Sequence, residues 1–526
     1  MESLASLTAV APIQNVDIQK LFNTMLLTKT DFLIAIDCNK NAWLKIHKPD
    51  IYREKPLTDF DLNIIETGNQ IDELARELFP GGVLVEHRDD VELTNKLIEA
   101  KTPVIYQPVF ASTKYLAVAD IIVFNYATQS YDLYEVKSST AGADGEGRRT
   151  NEYVTDLAFQ KVLIDAIGAP VSTYNLVRLN KDYVRGAKLS IPELFLTEEL
   201  TDEVNNEMAD LAGQMAGVRE YLLKEDEPAG YCDCINKTKG NHCTTSWYSL
   251  PDLPEYSVHR ISRIHKNKLA AFVESETYNI KSLSAEQTET LSDIQQKQVH
   301  VAQTGQIEMN EEGIETFLSQ LEYPLAFIDY ETYPSAIPRF SGYRPYQQIP
   351  FQFSLHVISE PGAEPVHTDF LHTDNTNPDI GFLEALQANI PASGSVLVWN
   401  QKFEKGINQH LADRNPDYAK LVANINGRVV DLIDPFDGNK AVYWHPAFMG
   451  KSSIKFVLPA LVPSMRSYQD QLVQDGGMAA DTWNRIVTGQ FTEEEKQKHI
   501  KGLRDYCTLD TLAMVKIWEV LEKTLK

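Results

Sequence analysis

The sequence predicts an α/β chain built from two units, and three features carry that prediction. Its 526 residues exceed what one ordinary core fills, at roughly 100–200 residues per domain. Short runs rich in Val, Ile, Tyr and Phe alternate with stretches of helical spacing, first in the N-terminal half and again from about residue 316. Between them, residues 266–312 are polar and rich in Gln, Glu and Ser, which reads as a helical bridge. The expected domains are 28–265 and 316–526, with the bridge at 266–315.

Along the first half, residues 1–27 are weakly patterned. Residues 28–50 read as one amphipathic helix capped by Thr30 or Asp31, and 61–79 as a second that stops at Pro80-Gly81-Gly82. Strand-like runs follow at 103–110, 115–125 and 131–138, the last two forming a hairpin that turns near Ala127–Ser130. A flexible loop is expected over 140–150, a helix over 151–167, and a strand over STYNLVRLN. Residues 185–228 read as mostly helical and acidic. In the second half, strands are expected at 324–332, 350–358, 366–371 and 395–400, and helices at 379–390, 401–413 and 493–525. No internal repeat or low-complexity tract stands out.

Hydrophobic residues at 43% and charged residues at 23% fit a soluble globular protein. No apolar run approaches the roughly 20 residues that span a bilayer, and MESLASLTAVAPIQNVDIQK carries no secretory pattern. The expectation is a cytoplasmic protein with no membrane partner. The formal charge of −25 excludes a broad basic face for duplex DNA. It does not exclude a nuclease, whose metal-binding carboxylates are themselves acidic. Walker A, Gly-x-Ser-x-Gly and His-Glu-x-x-His sequences are missing, so neither ATP hydrolysis nor serine-type acyl transfer is expected.

The five cysteines are too few for a disulfide framework. Cys232, Cys234 and Cys243 crowd into GYCDCINKTKGNHC, a polar, turn-rich loop with no core for them to enter. Such a loop suits metal ligation, which needs a fourth ligand. Cys38 is the upstream choice and His242 the local one; His242 would favour zinc over iron and sulfur. Cys507 reads as helix packing.

Two sets of acids stand out. In YLAVADIIVF and YDLYEVKSS, Glu135 and Lys137 lie two apart on a strand and share a face, which Asp120 can reach from the neighbouring strand. Two carboxylates can bind Mg²⁺ or Mn²⁺ and a lysine beside them can stabilise developing phosphate charge, although Glu-x-Lys on a strand is equally the pattern of a solvated cross-strand salt bridge. In PLAFIDYETYP, Asp329 and Glu331 share one strand face while Tyr330 takes the other. SVLVWNQKFEKGI runs from strand into helix with Asn400 and Glu404 near the junction. In LRDYCTLDTLAMVKIWEV, Tyr506 and Asp510 are four apart on one helical face. Asp431 in RVVDLIDPF is a further acid at a strand end, able to substitute or assist.

The order helix, Asp strand, Glu-x-Lys strand, then helix with Gln160 resembles the PD-(D/E)XK restriction-endonuclease-like nucleases of the RecB-like type. Cys38 followed by Cys232, Cys234 and Cys243 resembles their iron–sulfur subgroup, in which a 4Fe–4S cluster staples the ends of the domain. The resemblance implies Asp120 and Glu135 as metal ligands, Lys137 as charge stabiliser, and Gln160 as a positioning group. Asp72, four residues after Gly68, stands where that family often has a metal-binding His. The second set resembles the DEDD 3′–5′ exonucleases of the RNase H-like fold. This implies two divalent ions on Asp329, Glu331, Glu404 and Asp510, with Tyr506 aligning the attacking water. Glu404 stands where that family has Asp. Overall, TDFLIAIDCNKNAWLKIHKP, DLAFQ, FIDYETY, HPAFMGKSSIKFVLPAL and DYCTLDTLAMV resemble a bacterial family of unknown function that combines both halves.

The function expected is a metal-dependent nuclease acting on DNA or RNA ends, with single-stranded DNA favoured, in repair or phage defence. The rival is a catalytically degenerate nucleic-acid-binding or scaffold protein, which Asp72 and Glu404 favour.

Overall fold

The computed structural model describes residues 26–54, 59–141, 148–465 and 468–525. Residues 1–25, and 142–147 of the loop expected over 140–150, lie outside them. The chain divides into two compact mixed α/β units. The first comprises 1–235, 241–251 and 336–345; the second 236–240, 252–335 and 346–526.

The first unit is built on a six-stranded sheet in the order β1 to β6. These strands are Val83–Leu84, Val104–Tyr106, Ile121–Asn125, Ser130–Ala141, Val171–Asn180 and Phe195–Glu199. β3 and β4 form the expected hairpin, closing at Asn125–Ser130, while β4 and β5 run parallel. A parallel pair needs a crossover, and here it contains helix Arg148–Ile167. The expected 115–125 strand is split. Tyr115–Val118 pairs with Leu27–Thr28 and Val109–Ala111 in a separate small sheet, and Asp120 sits at the break. The strand β6 falls inside the stretch read as helical.

The helix expected over 28–50 is two helices, α1 (Lys29–Asp37) and α2 (Asn39–His47). Cys38 between them is extended, at φ −159°, and α1 is capped by the Thr28 side chain rather than by Thr30 or Asp31. Helix α3 (Asp59–Arg76) buries Ile71 and Ala75 with Val136 and Val177. On the opposite sheet face, Phe32 and Trp43 join Leu133, Leu176 and Phe159. Phe159 belongs to α4 (Arg148–Ile167), which is followed by α5 (Thr201–Leu222). The segment 336–345 inserts Ala336 and Ile337 into the first core, and Arg185 exchanges backbone hydrogen bonds with Gly342 and Tyr343.

In the second unit the sheet order is β9-β8-β7-β10-β11, from Leu325–Pro334 (β7), Gln348–Ile358 (β8), Val366–Leu371 (β9), Val396–Val398 (β10) and Val429–Asp431 (β11). β8 is antiparallel to β7 and β9, whereas β10 runs parallel to β7 and β11. One face carries α6 (Asp379–Asn389) and α7 (Gln401–Arg414), packed on Ile328, Tyr330, Phe353 and Leu355. Below them in sequence come α8 (Ile454–Leu461), α9 (Gly476–Val487) and α10 (Glu493–Thr524). On the other face Phe351 stacks on Trp483 of α9, and Phe327 meets Trp518 of α10.

The stretch read as a bridge is folded and belongs to the second unit. Its Leu269, Phe272, Ile280 and Val299 share a core with Val258 and Ile261, residues expected in the first domain that also belong to the second unit. Its glutamines are structural. The Gln295 amide donates to the Ser262 carbonyl (2.8 Å), and Gln298 accepts from Ser262 N–H (2.9 Å) while donating to the Arg260 carbonyl (3.0 Å). These two buried amides are satisfied by backbone groups, as buried polar groups require.

Gly394 has φ +81°, and a Cβ there would fall 2.1 Å from the Pro324 carbonyl oxygen. Gly394→Ala combines a forbidden contact with backbone strain. It is expected to destabilise the second unit by more than about 1 kcal/mol, read as a lower melting midpoint by calorimetry.

Candidate metal centres

The cysteine centre follows from the break between α1 and α2. Cys38 leaves helical geometry and, with Cys232, Cys234 and Cys243, brings four ligand atoms within 4.8 Å of one another. The grouping includes Cys38 and not His242. The Asp233 carboxylate accepts from Asn39 N–H (2.9 Å), fixing the loop to the start of α2. Cys243 N–H donates to the Cys234 sulfur (3.0 Å). Hydrogen bonding with Cys232 is the largest influence lowering the thiols of Cys38, Cys234 and Cys243, while Cys232 itself is pushed up. All four are free cysteines. Four clustered sulfurs suit a tetrahedral zinc ion or an iron–sulfur cluster.

At the first acid set, β4 continues a row of core positions. Tyr131 and Leu133 are followed on the same face by Glu135 and Lys137. Glu135 is only 2% exposed, and a carboxylate there requires partners. The Lys137 ammonium lies 2.6 Å from Glu135 Oε1 and 2.6 Å from Asp156 Oδ2. The Lys29 ammonium lies 2.7 Å from Glu135 Oε1 and 2.9 Å from Asp156 Oδ1. The result is a closed ring of two acids and two lysines. Gln160 donates to Glu135 Oε2 (2.8 Å) and Asp156 Oδ1 (3.2 Å), while its own buried Oε1 has no hydrogen-bond partner among the described residues.

Asp120 accepts from Val136 N–H (2.7 Å). Burial first, then Glu135, raises its carboxyl to about 8. The same two causes raise Asp72 to about 6, which brings it electrostatically into the set. Burial works against the charges of Lys29 and Lys137, but Glu135 and Asp156 outweigh it and raise both. Burial likewise opposes ionisation of Asp156, yet Lys29 and Lys137 hold it well below the carboxylate range.

The structure therefore brings Glu135, Lys137 and Gln160 together, with Asp120 and Asp72 in electrostatic reach. The sequence reading missed Lys29 and Asp156. Asp156 lies four residues before Gln160 in DLAFQ, so helical spacing already placed it on the same face. Lys29 carried no comparable signal.

In the second unit, Asp329 and Glu331 face α10 from β7, opposite Ser354 and Gln352 of β8. Irregular pairing directly after Glu331 interrupts the ladder there, the kind of bulge that re-aims a side chain. From α10 come Tyr506, Cys507 and Asp510, all buried. Tyr468 donates to Asp510 Oδ1 (2.6 Å). Glu404 is buried in the first turn of α7, and its Oε2 has no hydrogen-bond partner among the described residues. Cys507 does more than pack the helix. Its sulfur lies 3.8 Å from Asp329 Oδ2, and with Asp329 and Glu331 it forms a group whose ligand atoms lie within 4.8 Å.

Burial raises all four acids. Asp510 and Glu331 add to the rise at Asp329, and Asp510 adds to it at Glu331, where Lys455 pulls the other way. Glu404 reaches about 8, its own N–H opposing burial and Asp431 adding to it. Asp510 reaches about 6, moderated by Tyr468 and Lys455. Among the described residues no lysine or arginine is ion-paired with these four acids. Hard oxygens held together, charge-suppressed and partly without donors, fit divalent cations.

Asp431 does not substitute for Glu404. Its two oxygens accept from the N–H groups of Asn400 (2.9 Å) and Gln401 (2.8 Å), which caps α7. It thereby holds Asn400 at φ +98°, a strained conformation for a residue with a side chain. Tyr468 and Lys455 were not singled out from sequence. Both lie outside the spaced acid motifs, and only the fold draws them in: Lys455 sits 5.7 Å and 5.9 Å from the ring centres of Tyr468 and Tyr506.

A domain family of unknown function, DUF2779, matches residues 326–453. That span contains Asp329, Glu331, Glu404 and Asp431. No curated relative matches the chain. Among the described residues, no helix is long and apolar enough to cross a membrane.

The raised carboxyls set a pH dependence. A group that holds its proton more tightly folded than unfolded loses its stabilising contribution as pH rises through the folded value. For Glu404 the loss runs from about 4.3, the ordinary glutamate value, through about 8. The metal-free protein is expected to melt progressively earlier across that window, and Mn²⁺ to restore the midpoint at the alkaline end. Glu404→Gln should flatten the profile and weaken the Mn²⁺ protection, both read by calorimetry.

Proposed function

We propose that the chain is a divalent-metal-dependent nuclease, acting as an exonuclease on nucleic-acid ends with single-stranded DNA favoured. One observation carries the reading. Among the described residues, Asp329 and the buried Glu331, Glu404 and Asp510 lie within electrostatic reach, with no ion-paired lysine or arginine and with one Glu404 oxygen lacking a hydrogen-bond partner. Such a set is costly unless divalent ions bind it. The RNase H-like, DEDD-type reading is supported further by the acid-bearing central strand of a five-stranded mixed sheet. The ions, Mg²⁺ or Mn²⁺, supply charge neutralisation and water activation. Tyr506 and Tyr468 orient groups around Asp510, and Lys455 offers a cation for substrate phosphate.

The PD-(D/E)XK reading of the first unit is supported by the Asp120, Glu135, Lys137 and Gln160 arrangement. There Asp120 and Glu135 would hold the ion. The cysteines would hold a 4Fe–4S cluster, or zinc in its place, as a staple of that unit. A cytoplasmic nuclease working in repair or phage defence fits these centres.

The decisive assay uses end-labelled single- and double-stranded DNA and RNA with Mg²⁺ or Mn²⁺. Lys137→Ala and Asp329→Asn should each remove the cleavage of their own unit by about 10²-fold or more, and together all of it. Undiminished degradation by the double variant would refute the assignment. Stoichiometric Mn²⁺ uptake with no cleavage of any substrate would favour the binding or scaffold reading, to which the longer Glu404 side chain already points.

The cysteine centre has an independent check. Anaerobically purified protein should be brown with a 4Fe–4S cluster or colourless with one zinc per chain, and Cys38→Ser should lose the metal in either case. Retention of full metal content by that variant would rule out Cys38 as a ligand.

A further inference from the structure

Acidic residues number 74 of the 526, yet the segments 256–273 and 438–469 contain none. The first carries Arg260, Arg263, Lys266 and Lys268; the second carries Lys440, Lys451, Lys455 and Arg466. In a chain of net charge −25, such segments concentrate the opposite sign.

Both belong to the second unit, and they fold against each other. Gly450, at φ +75°, comes so close that a Cβ on it would lie 2.8 Å from the Arg260 carbonyl oxygen. Arg263, His265 and Lys268 of the first segment and Gly438 and Asn439 of the second line a cavity of about 310 Å³. Among the described residues its lining includes no carboxylate. Ser262, Ile294 and Gly438 are shared with an adjoining cavity, to which Lys451 and the half-buried Trp444 belong. Arg260 lies near enough to Lys451 to lower its ammonium, after burial. Four residues on, Lys455 of α8 lies beside Tyr468 and Tyr506 and acts on Glu331 and Asp510. The cations therefore form a path that ends at the acid set.

Neighbouring acids cancel only part of this charge. Asp437 pairs with Arg263 (3.4 Å), Asp434 with Lys440 (2.7 Å) and Glu308 with Lys297 (2.9 Å), whose ammonium covers the Trp444 ring, and Asp293 is exposed at the start of the helix beside the cavity. Arg260, Lys268 and Lys455 donate instead to the backbone carbonyls of Glu255, Thr290 and Gln474.

We infer that the two acid-free segments form a track for the backbone phosphates of a single nucleic-acid strand, leading its end to the acid set of the second unit. This rests on the nuclease reading proposed above and adds the surface that holds the strand. Separated cations fit successive phosphates, and an aromatic side chain among them suits the unpaired bases of a single strand.

Binding is read by fluorescence anisotropy of a labelled oligothymidylate, on the full chain with its cysteine centre filled and without added divalent ion. Arg263→Glu with Lys451→Glu, both at exposed positions, should weaken it at least about tenfold. Lys501→Glu with Lys523→Glu makes the same change in net charge on exposed side chains of α10 and should leave it intact. With Mn²⁺ present, the first pair should raise KM for the strand and spare kcat. No binding by the unaltered chain, or equal effects of the two pairs, would overturn the track. So would competition by thymidine monophosphate as effective, phosphate for phosphate, as by the oligothymidylate, which would mark a site for free nucleotides. Track-dependent binding with no cleavage of any strand would refute the nuclease reading and leave the track standing.

Discussion

A carboxylate taken out of water costs several kcal/mol unless cations or donors replace its hydration. Both units are organised around that constraint, and they meet it differently. The first closes Glu135 and Asp156 into a ring with Lys29 and Lys137, and adds Gln160 as a donor. The second leaves Asp329, Glu331 and Glu404 with carboxyls that burial raises above the usual range, in the set where metal ions are proposed. The surrounding apolar packing is what makes either arrangement costly, and hence selective for cations.

The same logic links the first acid set to the cysteine centre. Helix α1 begins at Lys29 and is capped at its C-terminal end by Cys38, so one short segment carries a partner of each. The extended geometry at Cys38 turns the sulfur out of the helix path, and Asp233 pins the following helix by its first N–H. A filled cysteine centre would hold the Cys38 end of this helix, while the ion pairs of Lys29 hold the other. The staple and the acid set are thus mechanically adjacent, with the covalent length of α1 as the link.

Much of this was legible in sequence because it rests on local periodicity. Strand spacing placed Glu135 with Lys137 and Asp329 with Glu331, and helical spacing placed Tyr506 with Asp510. The hairpin over β3 and β4 and most elements after residue 316 also followed from local pattern. What stayed hidden depends on long-range pairing. Lys29 meets Glu135 only because the sheet brings α1 across it. Residues 336–345 belong to the first unit although their neighbours on both sides belong to the second. The glutamine-rich stretch looked solvated because composition cannot distinguish a hydrated amide from one bonded to buried backbone, as in Gln295 and Gln298. Asp431 looked like a ligand because a cap and a ligand are the same residue at a strand end until the next helix is placed.

The net charge of −25 acquires a definite meaning on the proposed reading. Divalent ions at the proposed centres would offset only part of it, so most of the acidity remains on exposed residues. A polyanionic substrate would then be repelled beyond contact and attracted only where ions and the cations leading to the half-buried Lys455 face it. Repulsion between exposed charges is screened over about 10 Å at 0.1 M salt, whereas interactions at the buried centres are screened far less. Added salt would therefore relieve repulsion as well as weaken attraction, unlike the steep loss expected of a protein that grips nucleic acid by a basic face. On the proposed reading, such a nuclease would select strand ends by access to its metal centres rather than by affinity for the backbone.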